Sequence, residues 1–324
     1  MSESQRDAVV PAGKATHRID GLDVLRGVAL LAMAVYHFTW DLDNFGYVEQ
    51  GLTGQGGWKL FARCIASSFL FLAGVSLVFA HARGIRWAPF GKRLAQVAAG
   101  AAAITLVTYF ATPNGYVFFG ILHEIALASV LGLAFLRLPW FATALAGLVV
   151  IALPQFYETA LTNPKWLAWI GMAETRPVSN DFVPLFPWFG AVLLGMAASQ
   201  LATLRGWWGP FSRLNPMLAR LRRLSWLGRH SLAFYLLHQP LLYGLVLAAT
   251  YVSPPDPGKI LQGECRRGCM AERADEKFCT AYCTCVGGKL KAEDLLTKLL
   301  AGTVSETENA RISDMVYECS APAP

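Results

Sequence analysis

The chain has 324 residues, 54% of them hydrophobic and only 15% charged, and its mean hydropathy is positive. Several apolar runs reach the roughly 20 residues needed to cross a hydrocarbon core of about 30 Å, which excludes a soluble globule. The formal charge of +6 falls mainly in alternate loops, a pattern of membrane topology, and no nucleic-acid partner is expected.

Residues 1–17 read as a disordered cytoplasmic leader. Seven candidate spans follow, at about 22–42, 58–81, 93–111, 116–136, 139–157, 182–204 and 230–252. The first is no cleavable signal peptide, because its apolar run is too long, carries charges and leads to no small-residue cleavage pattern. It reads LDVLRGVALLAMAVYHFTWDL and is apolar except for Asp23, Arg26, His37 and Asp41. At about 100° per residue these four fall within roughly 60° of one another along nearly the whole helix. Gly27 and Ala34 lie on or beside the stripe and leave gaps that a substrate could fill. An ionisable residue inside a span costs about 2.5–3.5 kcal/mol on insertion scales, so the stripe is expected to face a protein interior or a water-filled path. An ion pair locking helix packing accounts for Asp23 with Arg26 but not for a histidine over ten residues deeper.

Span two holds Cys64, and the loop after it carries Arg83, Arg86, Lys92 and Arg93. Span three contains the small-residue run Ala95–Ala103, which predicts close helix packing. In span four, His123 and Glu124 lie about 10 Å from one membrane surface, matching the depth of His37. Pro154 interrupts the end of span five. Pro184 and Pro187 disfavour regular helix at the start of span six, beside Asp181 and Trp188, although an ordinary helix start is the plainer account. In span seven, Ser231, Tyr235 and His238 share a face, and Pro240 frees the Leu236 carbonyl.

Lys and Arg fix the expected orientation. Arg6, Lys14 and Arg18 precede span one, and Arg205, Arg213, Arg220, Arg222, Arg223 and Arg229 follow span six. The alternate loops carry few: residues 43–57 and 112–115 have none, and 158–181 have only Lys165 and Arg176. The N-terminus is therefore expected inside and the C-terminus outside. The arginines at 205–229 could meet the phosphates of a cytosolic ligand, but topology alone also demands them.

Six of the seven cysteines (Cys265, Cys269, Cys279, Cys283, Cys285 and Cys319) lie after the last span, in a soluble tail opened by Pro254, Pro255 and Pro257. An even set crowded into a short segment predicts disulfides in an oxidising compartment, in agreement with the loop charges. The spacing lacks zinc knuckles and a nearby histidine, and no metal is expected. Two pairs one helical turn apart predict Cys265–Cys283 with Cys269–Cys279 across a helical hairpin. Ser305 and Glu308 have capping-box spacing. The expected fold is thus all-α and polytopic, with residues 18–252 in the membrane and 253–324 as a disulfide-stapled helical tail.

The motifs carry a resemblance. Arg18, Leu22-Asp23-Val24-Leu25-Arg26-Gly27, Met33 and Tyr36-His37 resemble the opening of the bacterial relatives of heparan-α-glucosaminide N-acetyltransferase. Further similarities are Ser68–Ser76, Gly120–Leu127, Pro184–Gly190, and Gly228–Leu232 leading to Tyr235-Leu236-Leu237-His238-Gln239. They span residues 18–245 and leave the tail outside. Arg26 and His37, with ten residues between them, also resemble a signature of the broader membrane acyltransferase superfamily. The resemblance implies transfer of an acyl group, usually acetyl, from cytosolic acyl-CoA to an acceptor across the membrane, commonly a saccharide, and placement in a bacterial inner membrane. The family's lysosomal enzyme has a histidine in its first luminal loop, and the loop Asp43–Gly57 here has none.

The stripe suits this chemistry. His37 would act as base and Asp41 would orient it, while His123, Glu124 and His238 are further candidates for proton transfer. Arg26, roughly 16 Å from His37 along the helix, would hold the pantetheine or phosphate end of acyl-CoA, positioned by Asp23. Two readings compete: a proton-coupled transporter using the stripe as a relay, and a haem protein with His37 and His123 as axial ligands.

Overall fold

A computed structural model describes residues 20–49, 51–82, 84–212, 221–273 and 275–320. The expected leader at 1–17, and Arg18, Arg83, Arg213 and Arg220 of the basic segments, lie outside the described residues. In chain order the helices are α1 (Asp20–Asn44), α2 (Gly56–His81), α3 (Trp87–Ala111), α4 (Ile121–Gly132), α5 (Trp140–Ala152), α6 (Lys165–Ala168) and α7 (Leu185–Leu204). They continue as α8 (Trp208–Ser212), α9 (Arg222–Arg229), α10 (Ser231–Val252), α11 (Pro257–Arg273), α12 (Glu276–Ala292), α13 (Leu296–Ala301) and α14 (Glu306–Ser320). Among the described residues there is no strand, and Phe119 and Phe182 form an isolated bridge.

Five helices, α1, α2, α3, α7 and α10, are long and apolar enough to cross a membrane, and the protein is an integral membrane protein. The two remaining expected spans are shorter. Residues 116–120 run extended, with Val183 N–H donating to the Phe119 carbonyl (3.1 Å), so α4 starts only at Ile121. At α5 a 3-10 turn over Leu153–Gln155 takes over where Pro154 cannot donate the α-helical bond. The prolines of the sixth span also act: Phe186 is non-helical (φ −96°, ψ 128°), so the entrance of α7 is kinked.

Helices pack closely where glycines face them. A Cβ on Gly74 would lie 2.0 Å from the Val192 carbonyl oxygen, and one on Gly195 would lie 2.1 Å from that of Phe71. The crossing of α2 with α7 is therefore backbone against backbone, the contact that small residues permit where water cannot drive packing. Leu70, Leu77, Ile121, Ala128, Val192, Leu193 and Met196 fill the core around it.

The tail is a separate helical cluster on one end of the bundle. Cys265 pairs with Cys283 and Cys269 with Cys279, as the hairpin spacing predicts, and Cys285 pairs with Cys319. Val286, Leu290, Leu296, Ile312 and Met315 form its small core. The capping box is present: Ser305 N–H donates to Glu308 (2.9 Å), and Glu308 N–H donates to Ser305 Oγ (3.3 Å).

Candidate functional site between the first and tenth helices

The polar stripe divides into a structural half and a half with unused polar atoms. In the structural half, Asp23 is 2% exposed and accepts from Arg26 at 2.9 Å, with Arg229 Nε 3.7 Å away. Arg229 also donates to Asp20 (3.2 Å) and Ser225 (3.1 Å), so these charges join α1 to α9. The gap expected beside Gly27 is filled: a Cβ there would lie 2.3 Å from the Leu224 carbonyl oxygen of α9. Gly228 reciprocates, because its Cβ would lie 1.9 Å from the Asp23 carbonyl oxygen. Arg26 donates through its other nitrogen to Ser76 on α2.

The second half meets α10. His37 and His238 stand edge to face with ring centroids 5.0 Å apart. His238 Nδ1 lies 2.8 Å from the Tyr235 carbonyl and 3.2 Å from that of Phe234. Carbonyls only accept, so Nδ1 carries the proton and Nε2 keeps the lone pair. Asp41, fully buried, accepts from Gln239 Nε2 at 2.9 Å. His37 Nδ1, Asp41 Oδ2, His238 Nε2 and Gln239 Oε1 are all buried without a hydrogen-bond partner. Buried polar atoms are nearly always paired, and each exception needs an explanation. Asp41 is held by Gln239 on the facing helix and does not orient His37, one turn away, as expected from spacing.

His123 is elsewhere and fully engaged. Its Nδ1 accepts from Gly120 N–H (3.1 Å), and its Nε2 lies 3.1 Å from Thr105 Oγ1, whose proton goes to the Val117 carbonyl (2.7 Å). It therefore fastens the start of α4 to α3. The imidazole facing His37 is that of His238, and His123 is not brought to His37 as the competing haem reading requires. Glu124, beside it, is fully buried with both carboxyl oxygens unpartnered.

Several further residues, assigned no role in the site by sequence, position it. Asp43 ties down the loop after α1, accepting from Gly51 N–H (2.7 Å), Thr53 N–H (3.0 Å) and Thr53 Oγ1 (2.7 Å). Tyr36, adjacent to His37, donates to the Thr53 carbonyl (3.4 Å). Asp181 accepts from Ile121 N–H (3.0 Å) and Tyr235 OH (3.3 Å), linking the entrance of α7 to α4 and α10. Gln239 does stand in a motif already noted, beside His238.

At the end of the bundle away from the tail, a cavity of about 170 Å³ opens between α2, α3 and α4. Ser76, His81, Arg86, Phe90, Arg93 and Ser129 are among its lining. His81 donates from Nδ1 to the Leu77 carbonyl (2.9 Å), and its Nε2 is buried without a partner. The Ser76 wall is the one that Arg26 holds.

Comparison with curated proteins and with solved structures returned no match. The family model described as "Heparan-alpha-glucosaminide N-acetyltransferase, catalytic" matches residues 18–240, which take in α1 to most of the first half of α10 and exclude the tail. This family is one of membrane acetyltransferases of the acyltransferase type, with acetyl-CoA as donor. With two thirds of its length matched, the chain belongs to the heparan-alpha-glucosaminide N-acetyltransferase catalytic-domain family.

Proposed function

We propose that this protein moves an acetyl group from acetyl-CoA on the cytoplasmic face of a membrane to a hydroxyl or amine of a saccharide on the opposite face. The observation that carries the reading is the set of four unpartnered polar atoms, on His37, Asp41, His238 and Gln239, gathered where α1 meets α10. The loop charges support the sidedness, with the tail end of the bundle outside.

The acceptor oxygen or nitrogen attacks the thioester carbonyl carbon, a C–O or C–N bond forms and the C–S bond breaks. His238 Nε2, the free lone pair of a fixed tautomer, takes the acceptor's proton and returns it to the departing thiolate. His37 shares that proton across the imidazole pair, and Asp41 with Gln239 orients the acceptor. On the cytoplasmic side, Arg86 and Arg93 at the cavity meet the donor's phosphates, which charged guanidinium groups bind well. Arg26, anchored by Asp23, holds Ser76 against the chain of the donor. Roughly 16 Å of α1 separates Arg26 from His37, a distance suited to an extended thioester arm.

The test is turnover of acetyl-CoA by protein in vesicles against a panel of amino sugars and neutral sugars. Wild-type protein is expected to acetylate at least one of them, and His37→Ala and His238→Gln to lose transfer while still inserting and folding. Wild-type turnover by both folded variants would remove the reading.

A further inference from the structure

The tail is built beyond residue 240, where the family match ends, yet it is joined to the bundle at the mouth nearest His37. Tyr47 OH donates to the Ser253 carbonyl (2.7 Å), and Arg266 of α11 pairs with Glu49. Ile260 of α11 sits against Gly46, where a Cβ would come within 2.5 Å of its Cγ1. Gly46 is also the residue with φ +80° that ends α1, with Tyr47 N–H reaching back to the Leu42 carbonyl (2.8 Å).

A cleft of about 380 Å³ lies in this joint, lined by Tyr47 and Glu49 of the loop and by Lys259, Gln262, Arg266 and Thr284 of the tail, among others. That volume lies in the range of roughly 300–1,000 Å³ typical of small-ligand sites. Its lining mixes donors and acceptors. Lys259 and Gln262 are exposed and offer N–H groups, while Thr280 and Thr284 spend their protons on the Glu276 and Thr280 carbonyls (2.7 and 2.8 Å) and keep oxygens that accept. A ligand rich in hydroxyls, each both donor and acceptor, satisfies such a wall. Both walls are fixed: the Cys265–Cys283 bond joins α11 to α12 at the cleft, and Asp43 pins the loop. The same loop touches Tyr36, the neighbour of His37, through Thr53, so cleft and imidazole pair share one shelf.

We propose that this cleft binds the distal sugar units of the acceptor, so that the tail selects oligosaccharides over monosaccharides. The inference rests on the acyl-transfer reading, with a saccharide as acceptor. It is tested with full-length protein, acetyl-CoA, and two acceptors: glucosamine and its β-1,4-linked tetramer. Wild type is expected to show a KM for the tetramer at least tenfold below that for glucosamine. Thr284→Trp, which fills the cleft, and the exposed pair Lys259→Ala with Gln262→Ala are each expected to erase most of that difference. Neither change should alter kcat on glucosamine or the KM for acetyl-CoA. Equilibrium dialysis of labelled tetramer, without donor, reads the cleft independently of turnover. Cleft-dependent binding without any acetyl transfer would sink the acyl-transfer reading and leave the cleft standing. Transfer or tetramer binding that ignores both changes would overturn the cleft.

Discussion

Replacing Gln239 with leucine asks whether Asp41 acts through being held. Gln239 Nε2 reaches Asp41 Oδ1 over 2.9 Å, and Asp41 is fully buried with Oδ2 already unpartnered. Leucine keeps most of the side-chain volume but leaves a buried carboxyl with no donor, which costs about 1–3 kcal/mol. If that cost falls on the transition state, kcat drops by roughly 5- to 150-fold. The KM for acetyl-CoA should not move, because the cavity proposed for the donor lies at the other end of the bundle. Release of free CoA thiol in detergent micelles measures the rate, and thermal unfolding of the same preparation measures the structural share. Asp41→Ala completes a double-mutant cycle. Once Asp41 is gone, Gln239 has nothing to hold, so adding Gln239→Leu to Asp41→Ala should cost little, and the coupling energy should approach the single effect. Effects that simply add across the pair, or a stable Gln239→Leu protein with wild-type kcat, would refute the reasoning.

His123→Ala should lower the melting temperature and leave kcat nearly unchanged, because both ring nitrogens serve the joint between α3 and α4; a folded variant without activity would return His123 to the chemistry. Arg86→Ala with Arg93→Ala should raise the KM for acetyl-CoA but not that for S-acetylpantetheine, which has no nucleotide phosphates; equal changes for both donors would detach these arginines from phosphate binding. Cys285→Ser with Cys319→Ser opens a 34-residue loop. The chain-entropy model puts that loss at about 3.8 kcal/mol of tail stability. Hydrogen exchange over Ile312–Cys319 reads it, and unchanged protection there would show that the core around Met315 suffices alone.

The sequence reveals what is periodic or local and hides what is azimuthal. The stripe on α1 is legible because four polar residues at helical spacing share a face whatever surrounds them. Two of the tail disulfides are legible for the same reason: two pairs of cysteines one turn apart suit an antiparallel hairpin that joins Cys265 to Cys283 and Cys269 to Cys279, whereas the spacing does not name the partner of Cys319. Depth in the membrane is a count of residues that presumes where a span's helix begins. Depth alone does not choose among neighbours. The count puts His123 level with His37 on a helix running from residue 116, yet that segment is extended and α4 starts only at Ile121; the Thr105 contact makes His123 the fastening of α4, and α10 brings His238 to His37 instead. The same limit explains Gly27. Its missing side chain is visible in sequence, but only the fold shows that the Leu224 backbone fills the space. Asp43 escaped because its partners, Gly51 and Thr53, are backbone and hydroxyl groups of a loop with no period. The consequence for the site is physical. Charges at Asp23, Arg26 and Arg229 satisfy one another and fix α9 against α1, and α10 follows directly from α9. The paired half of the stripe thereby sets the position of the unpaired half, so weakening Asp23 or Arg229 should disturb the His37–His238 geometry without touching either ring.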